Sequence, residues 1–91
     1  MRRIDPKHVI IGEQIVKESN GTVIPEDEPL MLFRARDRNV LPMLRKYRAL
    51  CIADGCNEHH MQGVANRIEA FEKFAAEHPD RMKQPGVTRG L

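Results

Sequence analysis

The sequence predicts an α+β chain, with a short N-terminal β-hairpin or meander followed by an antiparallel helical hairpin. Three observations carry that expectation. In "IVKESNGTVI", apolar-flanked runs lie on either side of Asn20-Gly21, a pair that accepts the positive φ angles of a tight hairpin. Two later stretches space their apolar residues at i, i+3, i+4, i+7, the period of a half-buried helix. Between them Asp54-Gly55 offers a C-terminal stop and Asn57 a fresh N-cap, so the helices must fold back on each other.

Val9 to Ile11 reads as a further short strand, with Gly12 bending the chain away. Pro25 and Pro29 bracket the acidic "EDE" and exclude it from the middle of a sheet. "LMLFRAR", Leu30 to Arg36, alternates as a strand does. Met31, Phe33 and Ala35 share one face; Leu30, Leu32, Arg34 and Arg36 share the other. Asn39 is placed to cap the first helix, and Pro42 fits its first turn, where a missing N–H removes no intrahelical bond. The stripe of that helix is Val40, Met43, Leu44, Tyr47, Leu50 and Cys51. In the second helix Met61, Val64, Ala65, Ile68, Phe71 and Ala75 form the inner face, while Glu69, Lys73 and Glu77 make i,i+4 pairs on the outer one. His78-Pro79 ends it. Residues 1–78 are expected to form one small domain and residues 79–91 a flexible tail.

A chain of 91 residues supports one small core, and one this size gains from oligomerising or from binding a ligand. Apolar residues make up 41% and charged residues 31%, with no apolar run near the ~18 residues of a membrane span. The basic pair at Arg2-Arg3 precedes too short an apolar run for a signal peptide, and two cysteines do not make a disulfide scaffold. A cytoplasmic protein with no membrane partner is the expectation these features set.

Net charge is only +2, but it is unevenly distributed. From Glu13 to Glu28 five acids face one lysine; from Arg34 to Arg48 six bases face one aspartate. A strand end leading into a helix N-terminus is a natural anion site, since guanidinium forks and first-turn N–H groups both favour phosphate or carboxylate. Arg34, Arg36, Arg38, Asn39 and Arg45 are therefore the candidate ligand-binding residues. The alternative is that the arginines pair with Glu26, Asp27, Glu28 or Asp37 and solvate an edge strand.

Other chemistries find less support. "CIADGCNEHH" contains the zinc-ligand types Cys51, Cys56, His59 and His60, but it has no CxxC and no HxxxH. Cys51 also belongs to the apolar stripe, where a free thiol acts as a small hydrophobe. Core cysteines and surface histidines, with no metal or other cofactor, are expected. No GxSxG, glycine-rich phosphate loop or HExxH occurs, which argues against an enzyme. The second helix carries Glu58, Glu69, Glu72 and Glu77 against Arg67 and Lys73, which opposes insertion into a DNA groove.

"DEPLMLFRARDRNVLPMLRKYRALCIADG", together with "EAFEKFAAEHPD", resembles a widespread type of small bacterial and phage protein with an acid-acid-Pro, apolar strand, Arg-Ala-x-Asp, two-helix pattern. Asp27, Glu28, Pro29, Phe33, Arg34, Ala35 and Asp37 match it; Arg36 stands where a polar residue such as Gln is usual. The resemblance spans Glu26 to Asp80 and brings no established activity. It implies occurrence in phage genomes and an accessory or counter-defence role. The combined expectation is a non-enzymatic homo-oligomer that sequesters a small anionic ligand, a linear or cyclic nucleotide signal of host defence. The alternative is a module that docks on and regulates a host protein.

Overall fold

The computed structural model describes residues 1–86, and it is α+β, a three-stranded antiparallel sheet at the N-terminus followed by two helices. The chain divides into two compact units, the first Met1–Met31 and the second beginning at Leu32.

In the first unit, β1 (Arg2–Arg3), β2 (His8–Ile11) and β3 (Gln14–Lys17) lie in the order β1-β2-β3. The tight turn of this meander falls between Ile11 and Gln14, where Gly12 takes φ +60°. A two-residue connection needs a positive φ at its first position, and glycine reaches it without a Cβ clash. The register sets Val9 opposite Val16, and these are the two buried side chains of the unit.

The hairpin expected around Asn20-Gly21 takes a looser form. Lys17 N–H donates to Thr22 O and Ile24 N–H to Ile15 O, but the pairing amounts to one bridge, Val16 to Val23. Asn20 Oδ1 accepts the Thr22 N–H alongside the backbone bond from Gly21 N–H to Lys17 O. The acidic 26–28 segment forms an exposed turn, as its flanking prolines require.

Between β1 and β2, Asp5 Oδ1 accepts the N–H groups of Lys7 and His8, each at 2.8 Å, and lies 3.0 Å from His8 Nδ1. Desolvation pushes the Asp5 carboxyl up, but the Lys7 N–H and the two His8 donors outweigh it, leaving the group below its ordinary value.

The second unit is built on α1 (Val40–Ala53) and α2 (Glu58–Glu77), packed as an antiparallel hairpin, with a 3₁₀ turn at Pro79–Arg81. Val40, Cys51, Val64 and Ile68 are its buried residues. The sequence stripe of α1 is only partly covered: Met43, Tyr47 and Leu50 remain 39–51% exposed. On α2, Lys73 and Glu77 approach to 3.9 Å as their i,i+4 spacing implies.

The link between the helices follows the sequence expectation closely. Gly55 takes φ +71°; its N–H donates to Ile52 O while Cys56 N–H donates to Cys51 O. These two bonds make a Schellman cap on α1. Asn57 then caps α2, its side chain accepting the His60 N–H at 2.8 Å.

Two expectations change. Leu30 to Arg36 is not a strand: the segment joins no ladder, and Leu30, Met31 and Leu32 are 56–79% exposed. Alternation alone marks a surface that could be half-buried, but a strand exists only where a neighbour accepts its hydrogen bonds. Residues 79–86, grouped with the tail, carry the 3₁₀ turn and a bridge at Lys83, with Arg81 stacked 4.8 Å from the Phe74 ring centre. The rest of that tail, residues 87–91, lies outside the described residues.

Two stability outcomes follow from these caps and turns. A Cβ at Gly55 meets nothing within 4 Å, so Gly55→Ala should cost about 1–2 kcal/mol through backbone conformation alone, read from the denaturation midpoint. Asp5→Asn should cost about 1 kcal/mol or less at neutral pH, because the carboxylate is 43% exposed. A depressed carboxyl contributes stability above its unfolded value and loses it as pH falls through the folded one. The gap between Asp5→Asn and wild type should therefore close in acid.

Candidate functional site

The basic segment is organised by contacts between residues 34–40 and residue 83. Lys83 N–H donates to Arg36 O at 2.7 Å, and Arg38 N–H donates to Lys83 O at 2.9 Å, closing a parallel bridge between Asp37 and Lys83. Asp37 N–H donates to Arg34 O, turning the chain just ahead of α1. These bonds fix the backbone on both sides of an open cavity of about 220 Å³ lined by Leu32, Arg34, Arg36, Asp37, Lys83 and Pro85.

Arg34 and Arg36 thus share one concavity with a third cation, Lys83. Among the described residues of this unit, no carboxylate lies within ion-pair distance of Arg34, Arg36 or Arg38. The other candidates are placed differently. Arg38 and Asn39 are exposed but do not line the cavity. Arg45 pairs with Glu72 of α2 at 3.6 Å, which ties its charge to the helical hairpin.

The start of α1 also differs from expectation. Asn39 makes no side-chain cap; Asp37 Oδ1 accepts the Asn39 N–H at 2.8 Å, and Asp37 O accepts the Val40 N–H. An aspartate two residues earlier already serves the first orphan donors. Its negative charge stands where a ligand anion would otherwise meet the helix N-terminus, which leaves the side-chain cations as the candidate anion-binding elements.

A second constellation lies at the link between α1 and α2. The ligand atoms of Cys51, Cys56 and His60 all fall within 4.8 Å of one another. His60 Nε2 is 3.6 Å from Cys51 Sγ and 3.1 Å from the Tyr47 hydroxyl, and the Tyr47 and His60 rings meet edge-on. His59, the neighbouring histidine, is exposed and outside the group. Desolvation, then the neighbouring Cys51 sulfur, push the Cys56 thiol up, the reverse of what activates a nucleophilic cysteine.

Lys83 was the residue that sequence reasoning missed. It sits in a polar, proline-rich stretch whose composition reads as a loose tail, and its one local signal is the flanking pair Pro79 and Pro85, which restrict the backbone. The sulfur–imidazole group was visible as residue types, but its spacing, five and then four residues, matches none of the familiar zinc patterns.

Compared with known proteins, the chain matches no family model, and neither the curated proteins nor the solved structures include a significant match. Among the described residues no helix is long and apolar enough to cross a membrane.

Tyr47 is the single tyrosine and there is no tryptophan, so its ionisation can be followed by ultraviolet absorbance without interference. The neighbouring Cys51 sulfur, followed by desolvation, holds its hydroxyl above the ordinary tyrosine value. Alkaline titration should place it above that value, and Cys51→Ala should move it down.

Proposed function

We propose that the chain is a non-enzymatic binding protein that captures a small anionic ligand through Arg34, Arg36 and Lys83. The observation that carries this reading is the convergence of three cations on one concavity while, among the described residues, neither arginine has a carboxylate within ion-pair distance. Guanidinium groups bind phosphate bidentately and lysine binds it as a point charge, so a phosphate-bearing ligand suits this wall better than a neutral one. A volume of about 220 Å³ accommodates the anionic end of a ligand and leaves its remainder in the open mouth. Leu32 and Pro85 supply apolar surface beside the charges, as a nucleotide or another phosphate ester with an organic group would use.

The ligand class to test first is a linear or cyclic nucleotide. The resemblance of residues 26–80 to small phage proteins suggests that a host defence signal, sequestered without chemistry, is the biological target. Arg38 is exposed in the same segment and adds positive charge outside the cavity lining, whereas Arg45 is engaged with Glu72 and is set aside as a ligand.

A second reading rests on a separate observation. Met43, Tyr47 and Leu50 repeat at helical spacing on α1 and stay exposed, which favours self-association or docking on a host protein.

Calorimetry against a panel of nucleotides and inorganic phosphate should show saturable binding that weakens as salt rises. Arg34→Ala and Arg36→Ala should each reduce affinity roughly ten- to a hundredfold, and Arg45→Ala should leave it unchanged. Absence of heat with every ligand, or binding indifferent to both alanine variants, removes the proposal. Sedimentation of wild type beside Leu50→Asp reads the second: a dimer that becomes monomeric in the variant supports self-association.

A further inference from the structure

The geometry points to a metal site at the α1–α2 link, in which Cys51 Sγ, Cys56 Sγ and His60 Nε2 bind a zinc-type divalent cation and solvent takes the fourth position beside the Tyr47 hydroxyl. Nothing in the proposed anion site depends on it.

Backbone structure accounts for the convergence. In the Schellman cap, Cys51 and Cys56 are the two ends of the same 6→1 hydrogen bond, which brings together side chains that sequence spacing alone would separate. The Asn57 cap then fixes the first turn of α2, with its side chain on the His60 N–H, and so carries the imidazole to the same place. Cys51 therefore lies in the last turn of α1, His60 in the first turn of α2 and Cys56 in the short, hydrogen-bonded link between them, and none belongs to a long loop.

The distances suit the chemistry. Zinc bonds of about 2.3 Å to sulfur and 2.0–2.1 Å to nitrogen, at tetrahedral angles, separate ligand atoms by about 3.5–3.8 Å. Cys51 Sγ and His60 Nε2 are already 3.6 Å apart, and the widest separation in the group is no more than 4.8 Å. Side-chain rotation of the half-buried Cys56 or His60 covers the difference without moving either helix. Two thiolates and an imidazole select zinc and its borderline-soft relatives over magnesium or calcium, which require oxygen ligands. Among the described residues, no carboxylate joins the group, so three protein ligands leave one position for water. On binding, each thiol gives up its proton to solvent and its sulfur lone pair to the metal, and no oxidant or reductant takes part. The cation then cross-links the end of α1 to the start of α2.

The test uses the whole chain, reduced and freed of metal, titrated with Co²⁺ as a spectroscopic probe and then with Zn²⁺. A one-to-one complex should appear with thiolate-to-cobalt charge transfer and the visible bands of a tetrahedral ion, and Zn²⁺ should displace it and raise the melting temperature by at least ~5 °C. Cys56→Ser and His60→Ala should each weaken binding at least ~100-fold, and Arg34→Ala with Arg36→Ala should leave it intact. A missing charge-transfer band overturns the site, as does affinity that survives both ligand substitutions. Should those variants lose their helical circular dichroism, wild-type thiol alkylation decides. Zn²⁺ should protect both cysteines, and reaction of both at unchanged rates overturns the site.

Discussion

Gly55 holds the second unit together by adopting a backbone angle that other residues reach only at a cost. With φ at +71° it lets two successive N–H groups turn back onto α1, and the chain reaches the Asn57 cap of α2 within two residues. A longer or looser link would let the helices splay, and Val64 and Ile68 would lose the surface that buries them. The same turn brings the Cys51, Cys56 and His60 side chains together. The fold and the sulfur–imidazole geometry thus share one constraint: the helix stop that makes the hairpin also assembles the group.

The proposed anion site depends on a different kind of contact. Lys83 is held by backbone hydrogen bonds to Arg36 and Arg38, so its position does not require its own side chain to be buried. That leaves the ammonium group available beside the two arginines. Asp37 lies in the same wall and serves the start of α1, which removes the helix N-terminus from the candidate surface and leaves the exposed cationic side chains to meet an anion. A site of this kind favours charge and bidentate geometry over a close-fitting envelope, in keeping with an open cavity and a ligand that is only partly enclosed.

The helices were legible because their signals are local. Apolar spacing, Asn57, Gly55 and His78-Pro79 act over one or two turns, and the structure places the α2 N-cap, the α1 stop and the α2 end where those residues stand. The β region was legible in class and less so in detail. Both Gly12 and Asn20-Gly21 can turn a chain, and the register that buries Val9 against Val16 gave the tight turn to Gly12. Leu30 to Arg36 has the alternation of a strand and still forms none, since a pattern of faces does not supply a hydrogen-bonding neighbour.

By itself, then, the sequence determined the α+β class, the helix limits, the excess of cations after Arg34 and the presence of ligand-type residues near Gly55. Each of these rests on interactions among residues a few positions apart. Only the tertiary structure decided that Lys83 joins Arg34 and Arg36, that Glu72 takes Arg45, and that His60 rather than His59 faces the two cysteines. These pairings depend on segments distant in the chain, or on the rotation of one helix end against another. Composition and periodicity do not encode such relations, because the free energy that selects them arises only once the elements are packed.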